Sequence, residues 1–519
     1  MGIARAAIII MLGNAFSRLL GMVREMVIAG LFGSTSATDA FTAASRVPVT
    51  VYDLLIGGMV AAALVPVFSD YVAEDVKEEL GRLVSALLTL VTVGLAVVVA
   101  AIYFLAPLAM SVFGQGYPPE VQALATDLLR VMIPSLLFLG LSAIFTSLLF
   151  SRRSFTFPAF CAAAYNTGII IAAVALHEVL GVTSLVVGVL LGSLLQVVIQ
   201  LPALRGMPLR IIIDPRHPAM VRIFKLYAPV ALGLAVSLVG VAIDTNLASQ
   251  TGEGSLAAMR FATTLVQLPL GLVAVAMGSA ILPTLSRFGP SSLSGPVHDE
   301  RGEYKRYLAM GVKMVLLAIM PAAVALVLLR EPVVHVLFQR GNFDAAATQR
   351  TALAFLGYAP SLPAAAIDQM LILAFYALKN TVIPVLVGVL GVAVYLGVAL
   401  TLISPLGFFG LTLANSAQII VHTLVLLFLI WRFLGGFSGL GLGMAFIKVM
   451  SASLAMGAVI LGVGQVSLTW VDLSTTLGSL GYILVAGGAG ALTYTGAVLL
   501  MRMEEAQHIW SLVQARLSR

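Results

Sequence analysis

Charged residues are scarce in this sequence. Only 10% of its 519 residues are Asp, Glu, Lys or Arg, while 60% are hydrophobic; a soluble domain has roughly 25% charged residues. No soluble core could hide so much apolar surface, so lipid must replace water around much of the chain. The composition therefore predicts an all-α polytopic membrane protein and gives no indication of a nucleic-acid partner.

Groups that carry out catalysis or bind metals are also few. The single cysteine, Cys161, excludes an internal disulfide, and we expect it to be a packing residue. There is no Walker-type phosphate loop and no evident nucleophile–base pair. The six histidines are scattered without metal-ligand spacing: His177, His217, His298, His335, His422 and His508. We therefore expect neither enzyme activity nor a bound cofactor.

Long apolar stretches are abundant. A bilayer core of about 30 Å requires about 20 helical residues. The sequence predicts about fourteen transmembrane helices, near 4–30, 37–66, 81–112, 121–150, 158–177, 183–203, 219–249, 256–287, 306–329, 347–376, 382–403, 408–433, 443–465 and 477–501. The predicted domains are an N-terminal six-helix bundle (1–205), a second six-helix bundle (206–434), two extra helices (435–503) and a cytoplasmic amphipathic tail (504–519). The N-terminus does not resemble a cleavable signal.

The first twelve predicted spans contain an internal repeat. The segment ALVPVFS at 63–69 returns as AILPTLS at 280–286, and PLAMSVFGQG at 107–116 returns as PVVHVLFQRG at 332–341. Pro134 and Pro158 correspond to Pro360 and Pro384 at nearly the same offset. Because the repeated unit contains six spans, we expect two bundles related by a pseudo-twofold axis along the membrane normal. A central cavity between them would suit alternating access.

Basic residues accumulate in the loops after even-numbered spans. Examples are Arg152 and Arg153 after the fourth span, and Arg205 and Arg210 after the sixth. The positive-inside rule places these loops, and therefore both termini, in the cytoplasm. We expect a multi-pass protein of the bacterial cytoplasmic membrane.

Charged residues occur at bilayer depth in the first predicted span. Asn14, Arg18, Gly21 and Glu25 fall on one helical face, and Arg24 flanks it. A charge at the bilayer centre costs roughly 2.5–3.5 kcal/mol on the insertion scale. These side chains must therefore face a wet cavity or one another. The two arginines suit phosphate or carboxylate recognition, because a guanidinium is planar and permanently charged.

The second predicted span carries a longer polar stripe. Asp39, Thr42, Arg46, Thr50 and Asp53 recur at helical spacing. One interpretation is that the stripe lines a path for a polar substrate. The alternative is that its acidic residues pair with basic residues of the first span and hold the two helices together.

The second repeat has fewer polar candidates. Arg260, Thr264 and Gln267 share a face of the eighth span, and Asp244 is the only acid in the seventh. A lone buried aspartate is either an ion or proton site or a hydrogen-bonded staple. Asp368 in the tenth span is a second ion-coupling candidate and could be its partner.

Several segments resemble the MurJ/MviN family of the multidrug/oligosaccharidyl-lipid/polysaccharide exporter superfamily. The resemblance lies in SRLLGMVRE at 17–25, LFGSTSATDAF at 31–41 and RVP at 46–48, and continues at 63–69, 268–286, 375–381 and 405–411. It covers essentially the whole chain, including the two extra C-terminal helices, which in this family help form a groove for a lipid tail.

The resemblance implies a lipid II flippase, which moves undecaprenyl-diphosphate-linked disaccharide-pentapeptide from the inner to the outer leaflet. The family's cavity residues correspond to Arg18, Arg24 and Asp39, with Glu25 where the family often has Asp. The chain departs from the family at two positions, where Tyr52 and Thr264 replace basic residues. The implied partners are lipid II and membrane lipids, and we expect a monomer.

Three alternatives remain open from the sequence. The protein could carry another polyprenyl-linked glycan, or export small organic cations or drugs against an ion gradient. It could also be a scaffold that does not transport. Sodium, protons and the membrane potential all remain candidates for the energy source. An organic-cation exporter would favour an acidic cavity, which the arginines of the first span argue against.

Overall fold

Fourteen helical segments match the fourteen predicted spans. The computed structural model describes residues 3–74, 76–207, 209–212, 214, 217–285, 298–378, 380–467 and 471–503, and these ranges contain no β-strand. The first seven helices are α1 (Ile3–Phe32), α2 (Ser36–Tyr52 and Val65–Ala73, joined by the π-helical turns Asp53–Gly57 and Val60–Leu64), α3 (Lys77–Phe113), α4 (Pro119–Met132 and Ser135–Ser151), α5 (Cys161–Leu180), α6 (Thr183–Leu204) and α7 (Pro218–Ser249).

The remaining seven spans are also helical. They are α8 (Ser255–Leu285), α9 (His298–Leu328), α10 (Ala345–Tyr358 and Ser361–Ala377), α11 (Val382–Leu406), α12 (Phe408–Leu434), α13 (Leu442–Ser467) and α14 (Thr476–Leu500). A short helix, Arg330–Phe338, follows α9 and was not predicted as a separate element. The predicted amphipathic tail at 504–519 lies outside the described residues.

The predicted repeat is visible in the way two helices bend. The two segments of α4 meet at 43°, and those of α10 meet at 48°. Pro134 and Pro360, which the repeat aligns, lie at these breaks. A proline has no backbone N–H and its ring clashes with the preceding turn, so it interrupts a helix at the same place in each copy.

All the predicted site residues except Asp368 lie on four helices, α1, α2, α7 and α8. Within the described chain, eight helices are long and apolar enough to cross a membrane, or ten if each bent pair is one span. Asp368 lies in the bent helix α10.

The chain forms two compact units. Unit 1 comprises Met1–Ala257 with Arg340–Asp344, and unit 2 comprises Ala258–Gln339 with Ala345–Arg519. Helix α7 belongs to unit 1 because it packs against α2 and α3. The compact units therefore divide the chain later than the predicted boundary at residue 205. That boundary and the pseudo-twofold axis stay predictions.

Glycines bring α5 and α6 of unit 1 into close contact. A Cβ atom at Gly168 would overlap the backbone of Gly192, and one at Gly188 would lie 2.7 Å from the Cα of Ile169. Small residues at such crossings allow helix backbones to approach closely, which is how helices associate when lipid removes the hydrophobic driving force. The α5–α6 pair therefore depends on the absence of side chains at these positions.

We expect Gly168→Ala to destabilise the protein. The added methyl group meets the backbone of the neighbouring helix and should cost about 1–3 kcal/mol through overpacking. Gly94→Ala in α3 is the control, because a Cβ there meets nothing within 4 Å and alanine has the higher helix propensity. Thermal unfolding of the purified variants in detergent measures both effects. Equal midpoints for the two variants would contradict the proposed role of Gly168.

Candidate functional site

Arg24 is the centre of a hydrogen-bonded cluster between α1 and α5. Its Nε and Nη2 atoms lie 3.1 and 2.6 Å from Oε1 of Glu25, and its Nη1 donates to Oδ1 of Asn166 at 2.9 Å. The Nδ2 atom of Asn166 in turn donates to the carbonyl of Ser17 at 3.1 Å. The cluster thus fixes both the position of the Arg24 side chain and the plane of its guanidinium group.

The cluster leaves Arg24 with capacity to bind an anion. A guanidinium has five N–H donors, and three of them account for the bonds to Glu25 and Asn166. The other two have no hydrogen-bond partner among the described residues. The Arg24 side chain is 23% exposed, whereas Glu25 is 1% exposed. Glu25 is therefore a buried counter-charge, and the Arg24 side chain is partly exposed.

The packed face of α1 coincides only partly with the predicted polar face: it includes Gly21 and Glu25 but not Asn14. Gly13 lies against the backbone of Ala159, and a Cβ at Gly21 would lie 3.5 Å from Nδ2 of Asn166. Of the predicted stripe, Asn14 is exposed and Arg18 is half-buried. Arg18 therefore lies beside the face that packs on α5.

Sequence reasoning missed Asn166. Its signal was an amide in the middle of the apolar helix α5, where a side chain with two donors and an acceptor needs partners. Its partners belong to α1, more than 140 residues earlier in the chain.

Asp39 is completely buried and binds backbone groups at the start of α8. Its Oδ2 accepts the N–H of Gly254 at 2.7 Å, and its Oδ1 accepts the N–H of Ala257 at 2.8 Å. The first N–H groups of a helix have no partner within the helix and carry partial positive charge. The Asp39 carboxylate satisfies two such groups, so in this conformation it stabilises the structure.

Other contacts hold the connection between α1 and α2. The Ser34 hydroxyl donates to the carbonyl of Gly254 at 2.8 Å. Asn342 binds the end of α1 through two groups. Its backbone N–H donates to the carbonyl of Gly30 at 2.9 Å, and its side-chain Nδ2 donates to the carbonyl of Leu31 at 2.6 Å. Gly33 takes a left-handed conformation, with φ of 66°, where it meets Asn342. Asp39 therefore belongs to an extended set of loop contacts within unit 1.

The rest of the α2 stripe becomes more exposed along the helix. The hydroxyls of Thr42 and Thr50 donate to carbonyls of their own helix. Arg46 is half-buried and Asp53 is exposed, and within the described chain neither side chain forms a hydrogen bond or ion pair. The regular α-helical spacing predicted for α2 ends at Tyr52, where the first π-helical turn begins.

Three candidates lie on α8 and one on α7. Arg260 and Thr264 are half-buried and Gln267 is exposed. The Thr264 hydroxyl donates to the carbonyl of Arg260 at 3.1 Å, so it bonds its own helix. Asp244 on α7 is half-buried.

Asp368 on α10 has a partner that was not predicted. Its Oδ1 lies 2.7 Å from Nδ1 of His422 on α12, and the two side chains are 16% and 14% exposed. The sequence offers Asp244 as a candidate partner of Asp368 and presents His422 as one of several scattered histidines. Within the described residues, no group of three or more His, Cys, Asp or Glu side chains is placed to hold a metal ion.

Comparison with known proteins identifies the family. The family model "Lipid II flippase MurJ" matches residues 28–481. The lipid II flippase MurJ of Burkholderia cenocepacia is 29% identical over 445 residues, which cover 82% of this chain and 83% of the relative. The probable lipid II flippase MurJ of Thermotoga maritima is 27% identical and covers 96% of each chain.

Solved structures show the same fold. A lipid II flippase MurJ in an inward closed conformation has a TM-score of 0.79 and 25% identity, covering 95% of this chain and 99% of that one. An inward-facing multidrug resistance MATE family transporter has a TM-score of 0.68 at 14% identity, covering 80% of this chain and 94% of the other. Because its sequence identity is low, the similarity to the MATE family transporter shows only that the fold is shared.

We expect Asp39→Asn to destabilise the protein. The amide keeps one acceptor but turns an NH₂ group toward a backbone N–H, and the loss of a charged hydrogen bond should cost about 1.5–3 kcal/mol. The control is Asp127→Asn on α4, whose side chain is 74% exposed, so its effect should stay below about 0.5 kcal/mol. Unfolding midpoints in detergent test this. An Asp39→Asn midpoint like that of the control would show that the two bonds contribute little.

Proposed function

The chain belongs to the MurJ family, and from this premise we propose that it is a lipid II flippase. It carries the undecaprenyl-diphosphate-linked precursor of peptidoglycan from the inner to the outer leaflet by alternating access. The observation that carries this proposal is the family match over residues 28–481, which includes Arg46 and Asp39 and reaches into α14. The cluster around Arg24 supplies chemistry that suits the cargo.

A diphosphate needs cationic donors that are available but held in place. Arg24 meets this need, since Glu25 and Asn166 fix three of its N–H groups and leave two. Arg18 lies on the same helix, about 9 Å away along the axis at 1.5 Å per residue. We propose that Arg24 binds the diphosphate and that Arg18 assists it. Arg46 and Asp53 remain our candidates for contacts with the polar head group.

The candidates of α8 have a secondary role in this proposal. Arg260 carries the positive charge on the helix where Thr264 replaces the family's usual basic residue. We propose that Arg260 partly substitutes for it. Gln267, being exposed, is a further candidate for a head-group contact.

The location and orientation follow from the same proposal. Many apolar helices and the family place the chain in a bacterial membrane as a multi-pass protein. We propose that both termini are cytoplasmic, because basic residues favour the loops after even-numbered helices. We also propose that the protein acts as a monomer without a cofactor and that membrane lipids surround it.

The alternative of an organic-cation exporter is less well supported. Such a substrate requires an accessible acid. Glu25 is buried and bound to Arg24, and of the predicted acidic site residues only Asp53 is exposed. Asp39 is likewise fully buried, with both oxygens bonded to backbone N–H groups.

The gene should restore growth to a bacterium depleted of its own lipid II flippase. Arg24→Ala should abolish rescue, because the diphosphate loses its principal donor, and Arg18→Ala should weaken or abolish it. Arg130→Ala on α4 is the matched control, since that side chain pairs with the exposed Asp127. Membrane levels of each variant are measured by immunoblot. Full rescue by Arg24→Ala at normal levels would contradict the assigned diphosphate contact.

Asn166→Asp should slow flipping by about tenfold. The new carboxylate binds Arg24 more strongly than the amide does and competes with the diphosphate; a tenfold change corresponds to about 1.4 kcal/mol. The rate is measured with fluorescent lipid II in proteoliposomes. Thr167→Ala is the control, because its hydroxyl donates to a carbonyl of its own helix. A rate equal to that of the control would mean that Asn166 has no influence on Arg24 during transport.

A further inference from the structure

A second charged cluster lies within unit 2. His422 projects from α12 between α10 and α11. Its Nδ1 lies 2.7 Å from Oδ1 of Asp368, and its Nε2 lies 3.4 Å from the carbonyl oxygen of Pro384. Thr423 adds a hydroxyl 3.4 Å from the same carboxylate oxygen. Both charged side chains are mostly buried, at 14% and 16% exposure.

The geometry indicates the protonation state of the ring. A neutral imidazole has one N–H donor and one acceptor nitrogen, whereas a protonated imidazole has two donors. Nε2 faces a backbone carbonyl, which can only accept a hydrogen bond, and a second proton lies between Nδ1 and Oδ1 of Asp368. The pair is therefore neutral overall, and with Asp368 ionised the ring is an imidazolium ion.

Among the charged side chains of α10, α11 and α12, Asp368 is the one that contacts the His422 ring. Helices α10 and α11 pack against α12. The sequence of α11 contains no charged residue, and Gly391 on that helix lies beside the ring, with an ideal Cβ 3.9 Å from Cδ2 of His422. The other titratable groups on these three helices are Arg350, Tyr358 and Tyr376 on α10, Tyr395 on α11 and Arg432 on α12.

We propose that His422 and Asp368 form a proton-binding site that couples proton movement to transport. In the release step the Nε2–H bond breaks, its electron pair stays on Nε2, and the proton passes to water. The ring keeps its Nδ1–H and the short bond to Asp368. A proton taken from water on the other side of the membrane restores the imidazolium ion.

Proton release creates two unfavourable conditions at once. The Nε2 lone pair then faces the lone pairs of the Pro384 carbonyl oxygen, so the ring and the start of α11 repel each other. The pair also changes from neutral to a net charge of −1 at bilayer depth, which is costly. Both effects favour a rearrangement of α11 relative to α12. Protonation and conformation would therefore be linked, as coupling requires.

The first test measures proton binding directly and does not depend on transport. The full chain, labelled with ¹⁵N-histidine, is placed in lipid nanodiscs and titrated by NMR, and the His422 signal is assigned by its absence in His422→Gln. We expect the ring to titrate between roughly pH 5 and 9. Asp368→Asn should lower the midpoint by at least about one pH unit, because an opposite charge is lost. A ring that is neutral throughout, or a midpoint unchanged by Asp368→Asn, would overturn the proposal.

The second test rests on the proposed flippase function. Proteoliposomes with the potential clamped receive a pH gradient or, separately, a sodium gradient, and flipping of fluorescent lipid II is followed. We expect the pH gradient to change the rate several-fold in the wild type and in His177→Gln, the control histidine at the end of α5. His422→Gln should not respond. A response to sodium alone, or a pH response retained in His422→Gln, would refute coupling through this site.

The two tests separate the two proposals. If the wild type does not flip lipid II under any gradient, the proposed function fails, while the NMR titration still decides whether His422 and Asp368 bind a proton. If flipping occurs but the ring does not titrate, the proton site fails and the flippase assignment stands.

Discussion

The structure depends on one constraint: a charge buried away from water must find its partners within the protein. Three clusters satisfy it in three ways. Arg24 is matched by the adjacent Glu25, Asp39 by the backbone N–H groups that begin α8, and Asp368 by the ring of His422. Each solution also ties two or more helices together. The buried charges are therefore also among the contacts that position the helices.

The duplicated backbone carries different chemistry in its two copies. Pro134 and Pro360 bend α4 and α10 at equivalent points, by 43° and 48°. In the first copy, one polar cluster joins α1 and α5, and its arginine keeps two N–H donors. In the second copy, a cluster joins α10 and α12, where a histidine pairs with an aspartate. The roles that we propose, cargo binding for the first cluster and proton binding for the second, follow this difference.

The helices could be predicted from the sequence, but most partners of the charged residues could not. Spans are encoded locally, by apolar runs of sufficient length and by prolines that interrupt them. The bond from His422 to Asp368 depends on the rotation of two helices whose residues are 54 positions apart. The bonds of Asp39 go to backbone N–H groups, which have no side-chain signature. The π-helical turns of α2 likewise break the spacing that a regular helix would keep beyond Tyr52.

The Arg24–Glu25 pair addresses a problem that any carrier of an anion faces. When the cargo leaves, a cationic site at bilayer depth must not be left with an uncompensated charge. Glu25 supplies that compensation permanently, because it is adjacent in sequence and 1% exposed. In the proposed transport, the cargo need not displace the acid; it would need only the N–H groups that Glu25 and Asn166 leave available. The same arrangement would limit binding strength, since a partly neutralised arginine holds a diphosphate less tightly than an isolated one, and this would allow release on the other side.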